Sequence, residues 1–195
     1  MNSEKTLSYF INESPKLINK IFKKKIRIAL LSSHTINGLK EIIHVKSAQY
    51  GILASIYEAP YNQYAQEILN VNSNFYKFKA DIVFLIIDSR DIFDELYHFS
   101  DSQPIEEKKY FVSEKISEID SLVSFFTKQS NATMILSNLN IPTNLSHGIA
   151  EQKLNYSLPD MIQEFNSILN LNYKNSEHVA ILDFNSFVSK NGEDN

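Results

Sequence analysis

The sequence predicts an α/β fold, a doubly wound and mostly parallel five-stranded sheet flanked by helices. Three observations carry this. Short apolar runs with almost no charge recur along the chain, and stretches of helical spacing separate them. The runs lack the alternating polar residue of a half-wetted strand, so they suit strands buried on both faces. Right-handed crossovers between successive parallel strands then set the order 2-1-3-4-5.

In chain order, Ser14-Pro15 reads as a helix cap followed by proline, opening a short helix to about Phe22 with Leu17, Ile18 and Ile21 on one face. The stretch before it (Leu7, Tyr9, Phe10, Ile11) is ambiguous. Ile26 to Leu31 is the first strand, with Arg27 its only charge. Thr35 to Tyr50 carries Ile36, Leu39 and Ile43 at helical steps and ends before Gly51. Ile52 to Tyr57 is a strand, Tyr64 to Leu69 a short helix, and Ile82 to Ile87 the most apolar strand. Glu106 to Lys128 is a long helix with Val112, Ile116, Ile119, Val123 and Phe126 on one stripe. Thr133 to Leu136, Leu158 to Leu171 and Val179 to Leu182 supply a strand, a helix and the last strand. The organisation expected is a helical extension over 1–25, the α/β domain over 26–188, and a loose polar tail over 189–195.

At 195 residues, 43% hydrophobic and 22% charged, the chain has the size and composition of one globular domain. A net charge of −4 gives no electrostatic case for nucleic acid or an anionic membrane. The basic cluster Lys23, Lys24, Lys25 and Arg27 reads as a solvated connection. The absence of cysteine excludes disulfides, thiol catalysis and thiolate metal sites, and fits a reducing compartment. No signal peptide precedes the domain and no apolar run is long enough to span a bilayer, so a cytoplasmic location is expected. Metal-ligand spacing, a Walker loop and a glycine-rich phosphate cradle are all missing from the sequence, so no cofactor is expected.

In such a fold ligands bind outside the carboxyl ends of the strands. Four polar segments fall there: Ser32-Ser33-His34-Thr35, Glu58 to Tyr64, Asp88-Ser89-Arg90-Asp91, and Ser137-Asn138-Leu139-Asn140. Ser33 and Thr35 read either as caps of the following helix or as a nucleophile and an anion contact. Asp88, Arg90 and Asp91 read either as a local Arg–carboxylate pair with a helix cap or as an Arg fork for a carboxylate or phosphate. Tyr57, Tyr61, Tyr64 and Tyr76 form an aromatic group that is mostly loop packing. His44, His98 and His178 read as structural or exposed; His147, beside Gly148, is the other histidine placed to act as a base. Asp183-Phe-Asn-Ser lacks the second acid and the hydroxyl of an aspartate phosphotransferase motif.

Together, Ile28-Ala-Leu-Leu-Ser-Ser-His-Thr35, Tyr57-Glu-Ala-Pro-Tyr-Asn-Gln-Tyr-Ala-Gln-Glu-Ile-Leu69, Ser73-Asn-Phe-Tyr-Lys-Phe-Lys-Ala-Asp-Ile-Val83 and Asp88-Ser-Arg-Asp91 resemble the N-terminal domain of FkbH-like proteins, HAD-superfamily subfamily IIIC. The resemblance spans about residues 26 to 185. It implies an SGNH-hydrolase-like fold that works with a HAD phosphotransferase domain to load a glyceryl unit from a phosphorylated intermediate onto an acyl carrier protein. The HAD motif is absent here, so the resemblance is to a stand-alone, split or truncated N-terminal domain. SGNH hydrolases open on Gly-Asp-Ser; the matching Ser32-Ser33-His34 sets Ser33 one place before the nucleophile position. Their Gly-x-Asn-Asp block reads Asp88-Ser89-Arg90-Asp91, and their closing Asp-x-x-His finds no histidine after Asp183. Loss of the base costs about 10⁴-fold or more in rate.

The leading expectation is therefore a non-catalytic binding or scaffolding domain of a HAD-type system, with HAD and acyl carrier protein partners. Its ligand-binding residues are Ser33, Thr35, Tyr61, Tyr64, Asp88, Arg90, Asp91 and Asn138. A weak serine esterase or acyltransferase using Ser33 or Ser32, with His34 or His147 as base, is the alternative. A fragment without separate activity, exposing an apolar docking patch, is a third.

Overall fold

A computed structural model describes residues 6–17, 20–98 and 103–192. Its five strands are β1 (Lys24–Ser32), β2 (Ile52–Glu58), β3 (Ile82–Ile86), β4 (Thr133–Ser137) and β5 (Val179–Leu182). They form one sheet in the order β2-β1-β3-β4-β5, as the crossover rule requires. The flanking helices are α1 (Leu7–Glu13), α2 (Leu39–Gln49), α3 (Tyr64–Leu69), α4 (Asn74–Phe78), α5 (Ser89–Phe93), α6 (Glu95–His98), α7 (Ile105–Gln129), α8 (Leu158–Tyr173) and α9 (Phe184–Asn191). The chain divides into two compact units, Met1–Phe84 and Leu85–Asn195.

In the first unit β1 and β2 run parallel, with Ile28 opposite Ile56 and Leu30 opposite Glu58. Ile28, Leu30 and Ala54 are buried against Ile36, Leu39 and Ile43, which ties α2 to the strands. Phe10 of α1 and Leu17 close over Val45 of α2 in a second cluster. The exposed Arg27 guanidinium forks onto Asp81 at 2.6 and 3.2 Å.

Two expectations for this unit need correction. The helix expected from Ser14 to about Phe22 is a 3-10 turn over Ser14–Leu17, and regular helix lies before it, in α1. Ser14 caps the end of α1, its N–H donating to Phe10, and Pro15 has no N–H to continue the helix. Ile18 lies outside the described residues. The next helix starts at Leu39, not Thr35, because Gly38 at its N-cap has φ 86°, off the helical path. A side chain at position 38 would also collide with Leu7.

Half-buried His44 receives or gives a hydrogen bond at 2.7 Å from Nδ1 to the Ser14 hydroxyl, joining α2 to the turn after α1. Burial first, then the Lys40 ammonium, lowers its pKa from the ordinary 6.5, against a smaller opposite pull from Glu41. The unfolded chain therefore takes up this proton first. The group leaves stability untouched above pH 6.5 and erodes it as pH falls from 6.5 toward the folded-state pKa. Thermal melts of His44→Gln are expected to show a shallower acid-side decline than wild type across that window.

In the second unit, α7 buries the expected stripe of Val112, Ile116, Ile119, Val123 and Phe126, and α8 buries Met161, Ile162, Phe165 and Leu169. Phe93 packs its ring 6.0 Å from Phe111 and 6.5 Å from Phe165. The tail expected to be loose from residue 189 is helical as far as Asn191, since α9 is capped by Asp183; residues 193–195 lie outside the description. Among the described residues no helix is long and apolar enough to cross a membrane.

Candidate functional site

Side chains alternate across a strand. Ile28 and Leu30 face α2, so Ser32, two residues on, emerges on the same face at the carboxyl end of β1. On β2, Ala54 and Ile56 share that face, which brings Glu58 out beside it. The loop from Ser33 to Gly38 and the turn after β2 complete a cleft of about 410 Å³ whose polar wall is Ser32, His34, Thr35, Asn37, Glu58 and Tyr61.

The Ser32 hydroxyl lies 3.3 Å from His34 Nδ1 and also accepts the His34 backbone N–H at 3.2 Å. The hydroxyl thus serves a tight local turn as well as facing the imidazole. Among the described residues the hydrogen bonds of His34 go to Ser32 alone. Glu58 lines the same cleft, which carries one carboxylate and no lysine or arginine.

Ser33 is fully buried at 0% exposure and does not line the cleft, which turns the expectation of an accessible Ser33 over to Ser32. Neither Ser33 nor Thr35 caps a helix, because the cap falls on Gly38. Tyr64 opens α3 and stays out of the cleft. The tyrosine group is packing: Tyr57 sits 6.5 Å from Phe75 and 5.7 Å from Phe78, and the Tyr76 hydroxyl donates to Ile68. Burial, then a hydrogen bond to Glu67, pushes the Tyr57 hydroxyl up to about 12.

In the second unit the strand-end residues bond among themselves. Arg90 forks onto Asp88 at 3.0 and 2.8 Å, and the Asp88 carboxylate also accepts the Arg90 N–H as the cap of α5. Of the two readings, the local Arg–carboxylate pair with a helix cap is the one present, with the Arg90 side chain still 65% exposed. Asp91 stands exposed in the first turn of α5. The Ser89 hydroxyl, which sequence reasoning passes over, is buried with no hydrogen-bond partner among the described residues. Asn138 is buried, donates to Asp183 at 3.0 Å and accepts the Asn185 N–H at 2.9 Å, so both ends of its amide serve the β5–α9 turn rather than a ligand. Hydrogen bonds from Ser186 and then Asn138 hold the Asp183 carboxyl below its ordinary range. His147 is engaged too, with Nδ1 3.0 Å from the buried Glu151 carboxylate.

Ser32, His34, Thr35 and Tyr61 are thus brought together with Glu58 of the expected segment after β2, and Asn37 joins them unforeseen. Asn37 carries no signal of its place in the sequence, because helical spacing from Thr35 hides the loop that precedes α2. Among the described residues no group of three or more metal-ligating side chains forms.

Sheet order and helical flanks define a doubly wound α/β domain with the 2-1-3-4-5 winding that flavodoxin-like and SGNH-hydrolase-like folds share. The family model for the FkbH N-terminal domain matches residues 27–195, and the chain belongs to that family. Among solved structures it is similar to the N-terminal part of protein BF1531 from Bacteroides fragilis, described as containing a phosphatase domain complexed with Mg (TM-score 0.75, 15% identity). That match covers 96% of this chain and 47% of the other, so the chain spans about half the length of that relative. The lipase Lip_vut3 from a goat rumen metagenome shares the fold at TM-score 0.53 and 10% identity, covering 84% of this chain and 82% of that one. Among curated proteins none matches the sequence.

Proposed function

We propose that this chain is a binding domain without hydrolase activity of its own. It works beside a HAD-type phosphotransferase domain or protein in loading a glyceryl or related acyl unit onto an acyl carrier protein in the cytoplasm. Family membership and the phosphatase domain of the Bacteroides fragilis relative support the context. One observation carries the loss of hydrolysis. Where SGNH hydrolases place Asp-x-x-His, this chain has Asp183-Phe184-Asn185-Ser186, and Asp183 is committed to the Ser186 N–H and the Asn138 amide. A structural cap stands in place of an acid–histidine pair. On this reading residues 26–188 are the working domain, and the cleft with Ser32, Thr35 and Tyr61 receives the bound group.

Calorimetric titration of the chain with the HAD-type protein and with the acyl carrier protein of the same system tests this. Binding at about 1–10 μM to at least one of them, about −7 to −8 kcal/mol, is expected. A folded chain that binds neither would overturn the proposal.

The Ser32–His34 contact favours a second reading, a weak esterase or acyl-transfer enzyme. Here Ser32 Oγ would attack an ester carbonyl as His34 takes its proton; the ester C–O bond would break, the alcohol would leave with that proton, and water would then release the acyl group from Ser32.

A further inference from the structure

β2 is an edge strand, hydrogen-bonded to β1 alone. Ala59 donates its N–H to Leu30. Backbone groups of successive strand residues point to opposite sides, so Leu53, Ser55 and Tyr57 face β1, while Ala54 and Ile56 turn N–H and C=O to the open edge. Among the described residues these outward groups have no hydrogen-bond partner. Native edges are usually blunted by proline, lysine or an inward charge. The seven residues of Ile52–Glu58 include no proline or lysine, and their one charge stands at the last position.

A cleft of about 290 Å³, separate from the one at the strand ends, opens along this edge. Its strand wall is four consecutive residues, Leu53 to Ile56, and its helix wall is Lys40 and His44, one turn apart on α2. Four consecutive strand residues can line one cleft only if it reaches the strand's backbone edge. The His44 ring is held by Ser14. The exposed Lys40 ammonium makes no hydrogen bond or ion pair with a carboxylate among the described residues, and its recorded electrostatic neighbour is His44. Exposed Lys24, opposite Ile52 in the register and on the α2 face by strand parity, adds positive charge at the start of this edge. Glu41 follows Lys40 in sequence but does not line the cleft.

We propose that this groove receives an extended acidic segment of a partner protein as an added strand on β2. Backbone groups of Ala54 and Ile56 would supply the new hydrogen bonds, and an acidic side chain would meet Lys40. The Lys40 ammonium on the helix wall and the absence of a carboxylate from the groove lining favour an acidic occupant, with a second copy of the chain as the competing outcome of the test.

The test uses the full chain, isotopically labelled, with a capped heptapeptide alternating valine and glutamate and a control alternating valine and lysine. The acidic peptide is expected to slow amide exchange at Ala54 and Ile56 at least about tenfold, and the basic control to leave it unchanged. Lys40→Glu is expected to weaken the acidic peptide at least about tenfold while the variant melts like wild type. Equal effects of the two peptides, or no protection by either, would overturn the proposal. Protection that grows with protein concentration in the absence of peptide would overturn it too, assigning the edge to a second copy.

Discussion

Lys108→Met is expected to cost about 3 kcal/mol of stability and lower the melting temperature by about 6–12 °C. Lys108 continues the apolar stripe of α7 one turn before Val112, and it is buried at 3% exposure. Its ammonium donates to the carbonyls of Tyr156 at 2.6 Å and Asn155 at 3.3 Å. Tyr156 needs that support, because its φ of 60° is left-handed and disfavoured for a bulky residue. Its hydroxyl donates to Glu164 at 2.7 Å. Methionine fills the space of the lysine stem but leaves both carbonyls without this donor, a loss of about 1–3 kcal/mol for each buried group stranded. The same loop carries the buried Glu151, which accepts the Leu158 N–H. Limited proteolysis of the variant is therefore expected to cut within residues 148–157 before the rest of the unit opens. The Arg27–Asp81 pair marks the opposite extreme: with 45% and 43% of the side chains exposed, solvent screens it and its removal is expected to leave the melting temperature nearly unchanged. A Lys108→Met protein melting within about 2 °C of wild type would refute the role given to the ammonium.

The second large effect belongs to Asn138→Leu, expected to cost about 2–3 kcal/mol. The substitution strands the Asn185 N–H and removes one of the donors that hold Asp183. Because α9 is capped by Asp183 and buries no side chain of its own, it depends on this tie more than a packed helix would. Amide exchange in α9 should accelerate while that of α7 keeps pace with global unfolding. A residue serving a ligand would behave differently: its replacement would leave the melting temperature in place and change only binding.

The architecture was legible because its determinants are local. Apolar runs at β1, β3 and β4 and the α7 stripe each specify an element with little help from distant contacts, and crossover handedness orders the strands. The short helices α4, α5, α6 and α9 were not legible, since runs of four to eight residues hold too few turns for a periodic signal. Their caps were present in the sequence, as Ser73 before α4, Asp88 before α5 and Asp183 before α9 show. Lys108 escaped notice because charge masks a position that periodicity places inside. At the site, the residue types were readable and the side-chain directions were not. Ser32 and Ser33 are adjacent, and only strand parity decides that the first lines a cleft while the second is sealed in. Arg90 and Asn138 looked available because nothing in a sequence tells a group bonded to its neighbours from one left for a ligand.

The measurement that bears most directly on the central claim is the hydrolysis of p-nitrophenyl acetate by the wild-type chain and by Ser32→Ala, followed at pH 7–8. A binding domain predicts the same rate for both, at the buffer background. A rate above background that disappears with the Ser32 hydroxyl would contradict it, and would make the Ser32–His34 pair a working nucleophile and base.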